Sequence, residues 1–396
     1  MQLLNGTVQR YAWGTHDAIF ELLGREPDGE PLAEYWLGAH ALSPATTSEG
    51  DLDDLVRRHP QLLGQATAEA YGPQLPFLMK VLSARHPLSL QAHPTREQAE
   101  AGYARENAAG IALDAPERVY TDDWPKPEIL IAISQFESLN GFREPAETAR
   151  LFAGLGVADE LTSIIRPLTE RKGAAALAQV FLDVLSLEGE RRHLIDVVAA
   201  AAMKHSLDEG PVGEFARTAV ELDGVFPGDR GILAALLLNR VTLAPGEAFY
   251  VAPGQMHAHL RGTGIEVMAT SDNVIRGGLT PKHIDVGELV SVVDFTPHEP
   301  EITLPVESRP GVERYKTPCP EFDVWRVRIT PELGTIRVPG SRSARVVLQL
   351  DGHSCLTSAD QAQDLARGQA VFVAADELDA ATTGDGTAFV AASGLR

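Results

Sequence analysis

The chain is poor in sulfur and in positive charge, and it has no long apolar run. Only two cysteines occur, Cys319 and Cys355, with no CxxC spacing. That excludes a disulfide framework and a thiolate zinc site, and it suits a reducing cytoplasm. Lysine plus arginine number 34 against 55 acidic residues, a formal charge of −21. Binding nucleic acid or an anionic membrane needs a basic face, so neither is expected as a partner. A small anionic ligand needs only a few local cations inside a pocket. No apolar run approaches the length that spans a bilayer. The stretch MQLLNGTVQRYAWG lacks the basic-then-apolar layout of a signal peptide, and a cytoplasmic protein is expected.

What is present is a chain of 396 residues, 44% hydrophobic, enough for two or three domains. Residues 1 to about 90 read as short strands and loops, with EYWLGAH (Glu34 to His40) mixing aromatics, glycine and histidine. Residues 95–120 read as an exposed helix, and KPEILIAISQFESLNGF from Lys126 returns to strand. From about 146 to 238 the pattern turns helical, with Leu177, Phe181, Val184 and Leu185 forming one apolar stripe. Strands resume at Val241. GEAFYVAPGQ (Gly246 to Gln255) and GQAVFVAADE (Gly368 to Glu377) share one layout, which suggests two β regions of jelly-roll type. Only the first is followed by histidines.

Four stretches carry chemistry. In LSLQAHPT, Gln91 and His93 stand two apart in an extended segment and project to one face, with Ser89, before Pro94 ends the ladder. A satisfied polar pair at a strand end would look the same. In KPE, Pro127 favours extended neighbours, so Lys126 and Glu128 share a face, as an exposed ion pair also could. In MHAHL, His257 and His259 follow a strand and a turn, a reasonable metal-ligand arrangement or one structural and one exposed histidine. In IEVMATSDNVIRGGLTPKH, Glu266, Asp272, Arg276 and Lys282 are dispersed among small residues rather than clustered on a solvated face. Together Gln91, His93, Glu128 and His257 offer nitrogen and oxygen ligands without sulfur, suiting Zn²⁺ among other divalent ions. Lys80, Arg276 and Lys282 are candidates for fixing an anion, which points to a small phosphorylated substrate.

These motifs, in this order and spacing, resemble those of the type I mannose-6-phosphate isomerases. The resemblance rests on YAWG, LGAH, FLMKVLSARHPLSLQAHP, KPE and APGQMHAHLRGTGIEVMATSDNVIRGGLTPK, and is loose over the last hundred residues. It implies a mainly β fold with an inserted α-helical domain: a catalytic cupin (jelly-roll) domain from residues 1–145 and 239–300, the helical insertion at 146–238, and a metal-free C-terminal β-barrel at 301–396. It implies one zinc per chain on Gln91, His93, Glu128 and His257. It also implies interconversion of mannose 6-phosphate and fructose 6-phosphate through a cis-enediol. Arg276, Asp272, Lys126 and Glu266 would serve catalysis, Glu266 as the base, while Ser89, Lys80, Lys282 and His259 would bind substrate. A monomer is expected, with an oligomer left open. Two positions depart from the family: Pro125 stands where many relatives carry histidine, and His259 where tyrosine is common. The competing reading takes His257, His259 and Glu266 as the HxH…E ligands of a general cupin, with iron or manganese. A non-catalytic sugar-phosphate sensor is the other alternative.

Overall fold

The computed structural model describes residues 1–359 and 361–395; residues 360 and 396 of the expected C-terminal barrel lie outside the described residues. The molecule is mainly β-sheet with helices. One sheet links ten strands and another nine, and the hydrogen bonding of neither closes into a barrel. The ten-stranded sheet is organised around one long strand, His257–Ala269. Its first residues pair with Phe136–Phe142, and from Gly262 onward it pairs with Phe77–Ala84 and with Glu128–Ala132.

The change of partner happens at a bend. Register slips between His259 and Arg261, and Gly262 takes φ 120°. A Cβ there would lie 2.5 Å from the Gln135 carbonyl oxygen and 2.7 Å from Phe136 Cα, so close approach and backbone angle both require glycine.

The nine-stranded sheet takes its strands from the C-terminal region and one from the opposite end, since Gln2–Leu4 pairs with Ala370–Phe372. The two sheets share a core. Met79, Val81, Ile129, Ile131, Ile265 and Val267 of one pack with Val324, Val346, Leu348, Phe372 and Phe389 of the other. Burial of this many large side chains, at about 1.5–3 kcal/mol each, binds the sheets into one body.

Seven α-helices fall between strands Phe136–Phe142 and Leu238–Leu243. Leu177, Phe181, Val184 and Leu185 are all buried on helix Gly173–Leu185. The helix read over 95–120 is shorter, Arg96–Ala108. Thr95 and Gln98 form a capping box at its start, and Gly110 at φ 74° follows its end. Residues 111–127 then run irregularly to the site. No helix among the described residues is long and apolar enough to cross a membrane.

Candidate active site

Strand periodicity sorts the side chains of the site. Leu90, Ala92, Ala258, Leu260 and Ile275 pack into the core beneath the helices. Alternation then turns Gln91, His257, His259 and Arg276 to the opposite face. Likewise Met79, Val81, Ile265 and Val267 face the other sheet, leaving Lys80 and Glu266 to face inward. Lys80 and Glu266 are direct cross-strand partners.

Three of the four expected ligands converge. His93, Glu128 and His257 are all buried, and their ligating atoms lie within 4.8 Å of one another. His93 Nε2 is 3.4 Å from Glu128 Oε1, and His257 Nε2 is 3.5 Å from Glu128 Oε2. Each ring is oriented from behind: Nδ1 of His93 lies 2.8 Å from the Asn273 carbonyl oxygen, and Nδ1 of His257 lies 3.2 Å from that of Gln255. With Nδ1–H donated there, Nε2 presents a lone pair to the centre. Neither Nε2 has a hydrogen-bond partner in the protein, a costly state for a buried polar atom. Burial pushes the His93 imidazole down to about 4, against the pull of Glu128, so it is neutral as a ligand must be. Burial opposes the charge on Glu128, but the Lys126 ammonium beside it holds its carboxyl well below the usual range. Lys126 Nζ is 3.2 Å from Glu128 Oε1. The donor set therefore fits a divalent metal. Gln91 is brought alongside by register, opposite His257 on one side and Arg276 on the other.

His259 parts company with His257. Its Nε2 is 3.4 Å from Glu266 Oε1 and its Nδ1 is 3.3 Å from Ser138 Oγ, so protein groups meet both nitrogens. Residues 259 and 266 of a straight strand would stand roughly 23 Å apart; the bend at Gly262 brings their side chains together. This geometry does not favour the HxH…E reading. Among the described residues, the group of His, Cys, Asp and Glu able to hold a metal is His93, Glu128 and His257.

Lys80 is buried between two carboxylates, 3.2 Å from Glu266 and 3.6 Å from Glu34, with its ammonium 4.9 Å from the Trp36 ring centre. Burial disfavours its charge, yet Glu34, Glu266 and Glu128 raise its pKa above the ordinary lysine value. Arg276 and Lys282 differ. Among the described residues neither makes a salt bridge, Arg276 is half-buried, and its charge lowers the pKa of Lys282. Ser89 is half-buried on the approach to strand Leu90–Ala92. Asp272 Oδ2 lies 3.1 Å from His40 Nε2. Unpaired cations, an acid-rich interior and an open imidazole pair suit a metal and a small dianion.

The mannose-6-phosphate isomerase of Salmonella typhimurium (strain LT2) is 37% identical to this chain over 395 residues, covering 98% of each. The chain belongs to the mannose-6-phosphate isomerase family. A family model, the catalytic domain of type I phosphomannose isomerase, matches residues 1–145. The rat mannose-6-phosphate isomerase is 31% identical over 408 residues, covering 94% of this chain and 93% of its own. A crystal structure of mannose 6-phosphate isomerase, holo and zinc-bound, superposes with a TM-score of 0.89 at 35% identity, covering 99% of both chains. Similarity to these mannose-6-phosphate isomerases thus runs through the last hundred residues, which the motifs linked only loosely.

Several residues of this mannose-6-phosphate isomerase family site escaped the motif reading. Glu34 accepts the Trp36 indole N–H at 2.9 Å. Asp122 holds the SDN loop, accepting from Ser271 Oγ at 2.8 Å and from the Asp272 N–H at 2.8 Å. Asn273 donates to the carbonyls of Asp122 and Trp124 at 2.9 Å, and its own carbonyl orients His93. The composition of EYWLGAH and SDN was visible; their partners were not.

Glu266 gives a pH prediction. Burial opposes its charge, but Lys80, against the repulsion of Glu128, and His259 bring its carboxyl down to about 2. A value depressed below the unfolded ~4.3 stabilises above that pH and is lost as pH falls through about 2. The contribution is on the order of 3 kcal/mol at one pKa unit per ~1.4 kcal/mol. In metal-free protein, the melting gap between wild type and Glu266→Gln is expected to shrink as pH falls from about 5 to about 3. A constant gap would mean Lys80 does not hold Glu266 ionised.

Proposed function

We propose that this chain interconverts mannose 6-phosphate and fructose 6-phosphate, with one zinc held by His93, Glu128, His257 and, as fourth ligand, Gln91. The observation that carries the reading is the pair of buried, unpartnered imidazole nitrogens facing Glu128. Zinc bound there supplies a Lewis acid near the sugar oxygens.

The chain's own groups do the rest. Arg276 and Lys282, free of acid partners among the described residues, hold the phosphate dianion, with Ser89 beside them. Glu266 takes the C2 proton of the open-chain sugar and returns it at C1, through a cis-enediol. Lys80 and His259 keep Glu266 ionised, and Lys80 and Lys126 offer positive charge to the developing enediolate. The same contacts make Glu266 a weak base, so its role calls for a direct test. The alternation of strand partners along His257–Ala269 supports a cupin jelly roll at 1–145 and 239–300 around a helical insertion at 146–238. Residues 301–396, which supply most strands of the nine-stranded sheet, form the C-terminal domain of this proposal.

Metal analysis with a coupled mannose 6-phosphate assay tests the whole reading. Purified protein is expected to carry about one zinc per chain, to lose activity on chelation and to regain it with zinc. Iron without isomerase activity would overturn it. Glu266→Gln is expected to slow solvent exchange at C2 by about 10²-fold or more; near-normal exchange would remove Glu266 as the base.

A further inference from the structure

The EYWLGAH segment is left without a part in the chemistry, yet His40 at its end lies beside Asp272. Strand Glu34–Gly38 is buried along its whole length, and His40 follows in the turn, buried as well. His40 Nδ1 accepts the Leu42 N–H at 3.3 Å, which fixes the tautomer and puts the proton on Nε2. That Nε2 lies 3.1 Å from Asp272 Oδ2. The ring is steadied by an edge contact with Trp36, centroids 4.8 Å apart. Trp36 in turn carries Lys80 over its face and gives its indole N–H to Glu34. One short segment therefore touches both charged sides of the pocket.

The exposures divide the labour. The Asp272 side chain is 37% exposed and that of His40 only 5%. Asp272 is open enough to reach a bound sugar, whereas the buried His40 turns its Nε2 to Asp272. The aspartate is clamped twice, its backbone N–H by Asp122 at 2.8 Å and its carboxylate by His40.

We propose that His40 is a positioning residue for the isomerisation: by donating Nε2–H to Asp272 it fixes the direction of that carboxylate toward the bound sugar. The proposal rests on the reading that Asp272 acts on the substrate. Without the donor the carboxylate can rotate, and a misdirected group loses rate rather than affinity. His40 lies outside the metal cluster, so zinc content reports independently on the integrity of the site.

The test compares His40→Ala, His40→Gln and Asp272→Asn as zinc-loaded enzymes, measuring kcat, KM for mannose 6-phosphate and zinc content. His40→Ala is expected to lower kcat about 10–100-fold, as loss of an orienting partner does, with KM and zinc content close to wild type. His40→Gln, whose Nε2 amide can reach Asp272, is expected to recover much of the loss. Asp272→Asn is expected to be at least as slow as His40→Ala. A slow Asp272→Asn with wild-type His40→Ala would overturn the role of His40 alone. Wild-type rates in Asp272→Asn would overturn both the role of His40 and the reading it rests on. Loss of zinc or of folding in both His40 variants would assign His40 to the architecture and overturn the proposal.

Discussion

Glu128→Gln is expected to strip the metal and abolish turnover while leaving the outline of the site intact. The substitution keeps the shape and removes the charge. Among the described residues Glu128 is the carboxylate that lies between the two imidazoles, and its two oxygens each face one of them. A neutral amide cannot balance a divalent ion in so buried a place. Changing groups that merely orient a ligand costs about 10–100-fold in metal affinity or activity, so loss of the charged ligand itself should exceed about 10³-fold. Lys126, buried and 3.2 Å from Glu128, would also lose its counter-ion. Zinc content after gel filtration and the coupled assay report the outcome together. A variant that keeps about one zinc per chain would remove Glu128 from the ligand set.

Lys80→Met should have the second largest effect, on stability as well as rate. The ammonium lies between Glu34 and Glu266, which are 6% and 4% exposed. Methionine fills the space and leaves two buried carboxylates facing each other. Removing one member of a buried ion pair costs about 3–5 kcal/mol, which lowers the melting temperature of a chain this long by roughly 4–6 °C. Adding Glu266→Gln to the Lys80→Met chain should restore part of the loss, because one of the stranded charges is gone. Calorimetry at neutral pH on the zinc-loaded proteins measures both. An unchanged melting temperature would show that the carboxylates are solvated rather than held by Lys80.

Some of this site was legible in the order of residues. The Gln91/His93 and Lys126/Glu128 pairs follow from strand alternation, and the structure puts His93 and Lys126 each within ion-pair distance of Glu128. The different fates of His257 and His259 were not legible. Two same-face histidines look alike until the bend at Gly262 swings Glu266 toward one of them. Lys80 read as a phosphate ligand because a lone lysine beside a motif has no visible partner. Its partners come from register with strands far away in sequence, Glu266 opposite it on one side and Trp36 on the other. His40 was visible as a residue and silent as a role, since only the SDN loop, more than 200 residues later, gives it something to hold. The helix over 95–120 was overread because the polar, alanine-rich pattern continues past Gly110, where the backbone angle stops it.

The strand Gln2–Leu4 sets the timetable on which this molecule can be made. Its partners, Ala370–Phe372, emerge from the ribosome more than 360 residues later. At about 5–20 residues per second that is a wait of roughly 20–70 s. Throughout it, the surface that Leu4 shares with Phe372 and the shared core of the two sheets stands uncovered. The ligand-bearing strands are complete by residue 278, but the shell that keeps water from their outer face arrives last. A chain stalled in its final quarter holds every proposed metal ligand and no finished enclosure, so quality control in the cell meets this protein as an assembled site in an open shell.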